Sequence, residues 1–143
     1  LMHIEPFQSR HLEILVLQPS QAAVSVFFDE EYGPALKAAG PCFTAMDGDE
    51  VLACAGVVKQ WDNRAIAWGL ISEYAGKQFV RIHKAVKRFL DTTDFNRVEA
   101  FVDADFEAGH RWIQMLGFER EGYMRAFSPL GKDCILYARI KHG

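Results

Sequence analysis

The spacing of apolar residues changes period several times along the chain, and each change predicts an element. Residues 2–7 alternate as a short strand. Ser9 stands where it can cap a short helix running to Leu17, and Pro19 stops that helix. Over residues 21–39, Val24, Phe27, Phe28, Tyr32, Ala35 and Leu36 keep helical spacing, which predicts one or two helices. Gly33-Pro34 is expected to break or re-cap that run, and Gly40-Pro41 ends it. The pattern then changes to short apolar runs separated by turn residues. Strands are predicted over residues 42–46, 51–59 and 65–71, with turns at Asp47-Gly48-Asp49 and Trp61-Asp62-Asn63-Arg64. Residues 75–91 return to helical spacing. Phe79, Ile82, Ala85, Val86 and Phe89 make the apolar face, with Lys77, Arg81, Lys84 and Arg88 opposite. A polar break over 92–96 leads to a strand at 97–102, a helix at 105–116 with Gly117 past its end, and strands at 118–125 and 134–141. The order is β-α-α-β-β-β-α-β-α-β-β. It predicts an α/β fold of the α+β, mixed-sheet kind, as one domain over residues 1–143.

Composition narrows the partners. Half of the 143 residues are hydrophobic and 13% are aromatic, which is enough for a packed core. A formal charge of −3 leaves no global basic footprint, so nucleic acid is not an expected partner. Cys42, Cys54 and Cys134 are widely spaced and make no C-x-x-C pair, so neither a metal site nor a disulfide framework is expected. Cys54 and Cys134 fall in apolar strands and read as buried thiols, which fits a reduced, cytoplasmic setting. No apolar run reaches membrane-spanning length and no signal-peptide pattern is visible, so no membrane partner is expected. Met2 reads as a start residue, with Leu1 an addition before it.

The segment from Asp105 to Phe127 is the most distinctive. It reads Asp-Phe-Glu-Ala-Gly-His-Arg-Trp-Ile-Gln-Met-Leu-Gly-Phe-Glu-Arg-Glu-Gly-Tyr-Met-Arg-Ala-Phe, between two β-rich runs. A short amphipathic helix ending in Leu-Gly-Phe, then Glu-x-Glu-Gly, then a final strand resembles the closing segment of the GNAT (GCN5-related N-acetyltransferase) family. The element order resembles that family throughout. The resemblance implies acetyl-CoA, or another acyl-CoA, as cofactor. In the family the fourth and fifth strands run parallel and splay apart, and the pantetheine arm bonds to the exposed backbone of the fourth like an added strand. Here that strand is residues 65–72, and the resemblance sets Trp68, Gly69, Leu70 and Ile71 beside the thiol and pantetheine. The pyrophosphate is expected on the N-terminus of the next helix, where free N–H groups and the helix dipole favour anions. The family signature there is Arg or Gln, two residues, Gly, one residue, then Gly or Ala. Ala75, Gln78 and Val80 occupy its three positions, so all three depart from it. The amide donors of Ala75, Gly76, Lys77 and Gln78 remain, and Lys77 and Arg81 could supply the charge of the missing Arg. Either a weakened site or one rebuilt with side-chain cations is expected.

Acyl transfer to an amine needs a base for the amine, a donor to the thioester carbonyl and an acid for the leaving thiolate. The family's usual tyrosine acid, four residues before the Gly of Gly-Phe, is replaced by Ile113. Tyr123 and Tyr74 are the stand-ins, with Tyr123 also readable as a plain sheet residue. For the base, Asp103 stands at the end of the fifth strand and shares a face with Glu99 by two-residue alternation; it also reads as a turn residue or helix cap. His110 is the other group that titrates near neutral pH. Asp29, Glu30 and Glu31 would suit a cationic acceptor, a small-molecule or peptide amine, and equally a solvated face. An exposed last strand could pair in a homodimer. Three functions remain open: an N-acyltransferase working by direct attack in a ternary complex, a GNAT-fold protein that binds or builds without catalysis, such as a phage virion component, and a small-molecule sensor that keeps CoA without transferring from it.

Overall fold

Strand β1 (Met2–Pro6) and helix α1 (Arg10–Ile14) open the chain in the computed structural model, which describes residues 1–142. A 3-10 helix (Pro19–Phe27) and α2 (Tyr32–Ala39) follow. Next come β2 (Cys42–Asp47), β3 (Glu50–Trp61) and β4 (Arg64–Ile71). A short 3-10 turn (Gly76–Gln78) leads into α3 (Phe79–Thr92). The chain ends with β5 (Arg97–Asp103), α4 (Glu107–Met115), β6 (Glu119–Met124) and β7 (Cys134–Ile140). The strands are hydrogen-bonded in the order β1-β2-β3-β4-β5-β7-β6. This mixed α/β arrangement is the one the periodicity predicts. Contacts group the chain into two compact units, Leu1–Val58 with Trp68–Thr92, and Lys59–Ala67 with Thr93–Gly143.

In the first unit, β1 and β2 are antiparallel from Met2↔Asp47 to Pro6↔Phe43, and β2 and β3 from Cys42↔Gly56 to Asp47↔Glu50. Gly48, at φ +58, makes the hairpin turn in a backbone region that glycine enters without strain. Phe7, Leu12, Leu15, Met46, Val51, Cys54 and Leu70 form a buried cluster against which Val24, Phe28, Tyr32, Leu36 and Trp68 lie. Helix α3 buries Ile82, Val86 and Leu90, spaced four apart as one helical stripe. Phe89 of the same helix meets Phe43 with ring centroids 5.2 Å apart.

Two stretches differ from the periodic reading. The first helix stops at Ile14, because Leu15 is already extended (ψ 122) and Leu17 pairs antiparallel with Ser72. Residues 19–27 are 3-10 rather than α: half-buried Gln18, Gln21 and Val24 recur every three residues, as that helix requires. Gly33-Pro34 re-caps the run, one of the two outcomes expected of it, and stands in the first turn of α2. Proline is tolerated there because N–H groups of a first turn have no intrahelical partner.

In the second unit, β4 and β5 run parallel from Arg64↔Arg97 to Ile66↔Glu99. Strand β7 pairs with β5 along its length, from Arg97↔Ile140 to Asp103↔Cys134, and with β6 on its other side. The last strand is therefore an inner strand, not the exposed one expected, and β6 is the edge. Glu99 is 4% exposed and is held by Arg64 and Arg97, with Arg97 reaching on to Glu121. Those two guanidinium groups pull its pKa down to about 2, Arg64 contributing most.

Candidate functional site

Every cofactor-site residue expected from the sequence lies in the first unit, and both catalytic candidates lie in the second. In the first unit the site is a backbone edge. Asn63 O accepts from Arg97 N, so the odd-numbered residues of β4 turn their polar backbone groups to one edge, which Gly69 and Ile71 continue. Even-numbered Ser72 bonds the other way, its N–H donating to Leu52 O at 2.8 Å.

The Gly69–Glu73 part of that edge is taken by the chain itself. The Gln21 carboxamide donates through Nε2 to Gly69 O at 2.8 Å, and its Oε1 accepts from Ile71 N at 2.9 Å. Gln18 N donates to Ile71 O at 3.0 Å, and Glu73 N to Val16 O at 2.8 Å. Gln18 Nε2 also donates to Gln21 Oε1 at 3.0 Å, which steadies the carboxamide. Trp68 sits at the edge of Phe7 with ring centroids 5.4 Å apart, and Leu70 is in the core cluster. No methyl at Gly69 would meet an atom within 4 Å. Beside the end of β4 an open cavity of about 430 Å³ is lined by Ile14, Val16, Glu50, Val51, Ser72 and Tyr74.

At the start of α3, Ala75 is buried and its carbonyl accepts from Gln78 N at 2.7 Å, while Gly76 takes φ +36. The Gln78 carboxamide donates to Asp47 Oδ2 at 3.2 Å. Lys77 and Arg81 are exposed, and their side chains make no ion pair or hydrogen bond among the described residues. Val80 is 62% exposed.

The second unit engages both catalytic candidates. Asp103 Oδ2 lies 3.4 Å from Lys132 Nζ, and its Oδ1 accepts a weak hydrogen bond from Cys134 Sγ at 3.6 Å. Tyr123 is half exposed; its hydroxyl donates to Asp133 Oδ2 at 2.7 Å, which raises its pKa above the usual phenol value. Asp133 also accepts from Ala126 N, so the pair ties the loop between β6 and β7. His110 is held at both ring nitrogens: Nε2 donates to Ala104 O at 3.0 Å, and Nδ1 meets the buried Tyr137 hydroxyl at 2.8 Å. Tyr74 is exposed, and Ile113 is half-buried on α4.

Sequence reasoning passed over Gln18 and Gln21. Their period-three spacing beside Pro19 was the available signal. It also passed over His11, which is fully buried beside Phe7 with Nδ1 accepting from Gln8 N at 3.1 Å and 2.7 Å from Thr44 Oγ1. Burial pushes the pKa of His11 down, and because Nδ1 accepts from Gln8 N, the neutral ring would carry its proton on Nε2. Among the described residues Nε2 of His11 and Nε1 of Trp68 are buried without a partner. The three thiols are free, and burial pushes Cys54 up to about 12. No group of three His, Cys, Asp or Glu side chains among the described residues could hold a metal ion, and no helix is long and apolar enough to cross a membrane.

The chain has the fold of the GNAT acetyltransferases. Ard1 from Thermoplasma volcanium superposes with a TM-score of 0.81 at 14% identity, over 99% of this chain and 99% of that one. An N-acetyltransferase from Staphylococcus aureus gives 0.73 at 13% identity over 98% of both chains. A GNAT-family acetyltransferase from Bacillus anthracis gives 0.69 at 16% over 97% of this chain and 94% of that one. No protein-family model matches the sequence, and no curated protein matches it.

Proposed function

We propose that the protein is an acyl-CoA-dependent N-acetyltransferase, moving an acetyl group from acetyl-CoA to a primary amine by direct attack in a ternary complex. One arrangement carries this reading: the backbone edge of β4 leads straight into the start of a helix whose Lys77 and Arg81 cations are unpartnered. That end suits a pyrophosphate in kind through the helix dipole and two cations, although Ala75 N already donates to Ser72 O and Gln78 N to Ala75 O. The β4 edge suits an amide-bearing arm only once Gln21 lets go of it. Bound acyl-CoA would supply an activated thioester. On the chain's side, Asp103 would take the amine proton after exchanging Lys132 for the substrate ammonium. Tyr123 could reprotonate the thiolate only by giving up Asp133. The acids Asp29, Glu30 and Glu31 would draw the cationic acceptor.

The filled edge, with Gln78, Val80 and Ile113 at signature positions, favours a second reading: a GNAT-fold protein that binds or builds without catalysis. Melting with acetyl-CoA, CoA and desulfo-CoA separates the two. The enzyme reading expects a rise of several degrees, because a ligand bound only by the folded state stabilises it. Lys77→Ala should cut that rise, and thiol release across an amine panel should follow. No shift at millimolar cofactor would leave the non-catalytic reading standing.

A further inference from the structure

The Gln21 side chain fills two polar positions that an incoming ligand strand would use. A carboxamide offers an acceptor oxygen beside a donor NH2, the complement of Ile71 N–H and Gly69 C=O, and both bonds, at 2.9 and 2.8 Å, are formed together. The residue stands on a 3-10 helix with no buried residue, where Val26 and Phe27 are exposed and only half-buried Val24 packs against the core cluster. A segment with so few buried apolar contacts opens at low cost. We propose that Gln21 is a gate: its carboxamide occupies the β4 edge in the free protein and is displaced by the amide groups of a pantetheine arm. Affinity and selectivity for arm-bearing thioesters are thereby set by Gln21. This rests on the acyl-CoA reading above.

The gate has an arithmetic consequence. Two bonds of ordinary net strength hold the closed form at about thirty to one, so the apparent affinity for an arm-bearing ligand is reduced about thirtyfold. A ligand that binds only at the helix start feels no such penalty. The test is calorimetric titration of the wild type, Gln21→Ala and Gln21→Met with CoA, desulfo-CoA and adenosine 3′,5′-bisphosphate. Amide hydrogen exchange at Ile71 is read in the free proteins. Methionine keeps the length of the side chain and lacks the N–H, so it serves if the alanine variant folds poorly. The gate predicts that both variants bind CoA and desulfo-CoA about thirtyfold more tightly. It also predicts unchanged bisphosphate affinity and faster exchange at Ile71. Several results overturn it: a wild type that binds CoA with variants equal or weaker, bisphosphate that tightens in step with CoA, or Ile71 exchange that does not change. The first of these leaves the acetyltransferase reading intact. No CoA binding by any of the three proteins overturns both.

Discussion

Glu99 shows what a single side chain contributes to this fold and how it should be tested. It is buried in the second unit, and its charge is tolerated because Arg64 and Arg97 both bond to it. Its folded pKa of about 2 lies below the unfolded value of roughly 4.3. A depressed carboxylate stabilises the fold fully above the unfolded value, and that stabilisation is lost as pH falls through the folded one. Unfolding free energy should therefore decline between about pH 5 and pH 2, by on the order of 2–3 kcal/mol from this residue. Denaturant titrations across that range should show a much smaller acid slope in Glu99→Gln. That variant should also be less stable at neutral pH, by on the order of 2–3 kcal/mol, because Arg64 loses its carboxylate and Arg97 keeps only Glu121. The alternation that puts Glu99 and Asp103 on one face of β5 was readable in the sequence. The Arg64 partner was not, since it comes from a neighbouring strand and no single-strand pattern encodes pairing register.

At the scale of elements, two glycines in neighbouring strands make a paired test. A methyl at Gly56 of β3 would stand 2.4 Å from Cys42 Cβ and 2.7 Å from Pro41 O, so backbone must move. Gly56→Ala should cost about 1–3 kcal/mol, measured as a lower denaturation midpoint. Gly69→Ala in β4 meets nothing and should fold with wild-type stability, within about 0.5 kcal/mol. If the two variants melt alike, the close approach of β3 to the Pro41-Cys42 corner is wrong. Legibility follows the same physics. Strands β2 and β3 were plain in the sequence as continuous buried apolar runs bounded by turn residues, and helix α3 because it buries a regular face, as Ile82, Val86 and Leu90 do. The stretch from Leu15 to Phe27 was misread because tertiary pairing at Leu17↔Ser72 overrides local helical preference. The β4 edge itself was foreseen as a ligand site; its occupant, a side chain 48 residues away from Gly69, left no local trace.

For the whole molecule, the order of elements was legible and the order of strands in space was not. Periodicity says where strands are, and adjacency depends on crossovers that skip neighbours, as β7 does in lying between β5 and β6. Native-state exchange should show β5, β6 and β7 amides opening together at one free energy, since removing β7 leaves both neighbours unpaired on that side. Independent opening of β6 alone would contradict that coupling. During synthesis the same arrangement sets a timetable. A ribosome delivers β5 and β6 before the strand that joins them, so both wait with bare edges until Ile140 emerges. In that interval a nascent chain is most prone to stick to another. The charges of Glu119, Arg120, Glu121 and Arg125 along the waiting segment give it a measure of protection.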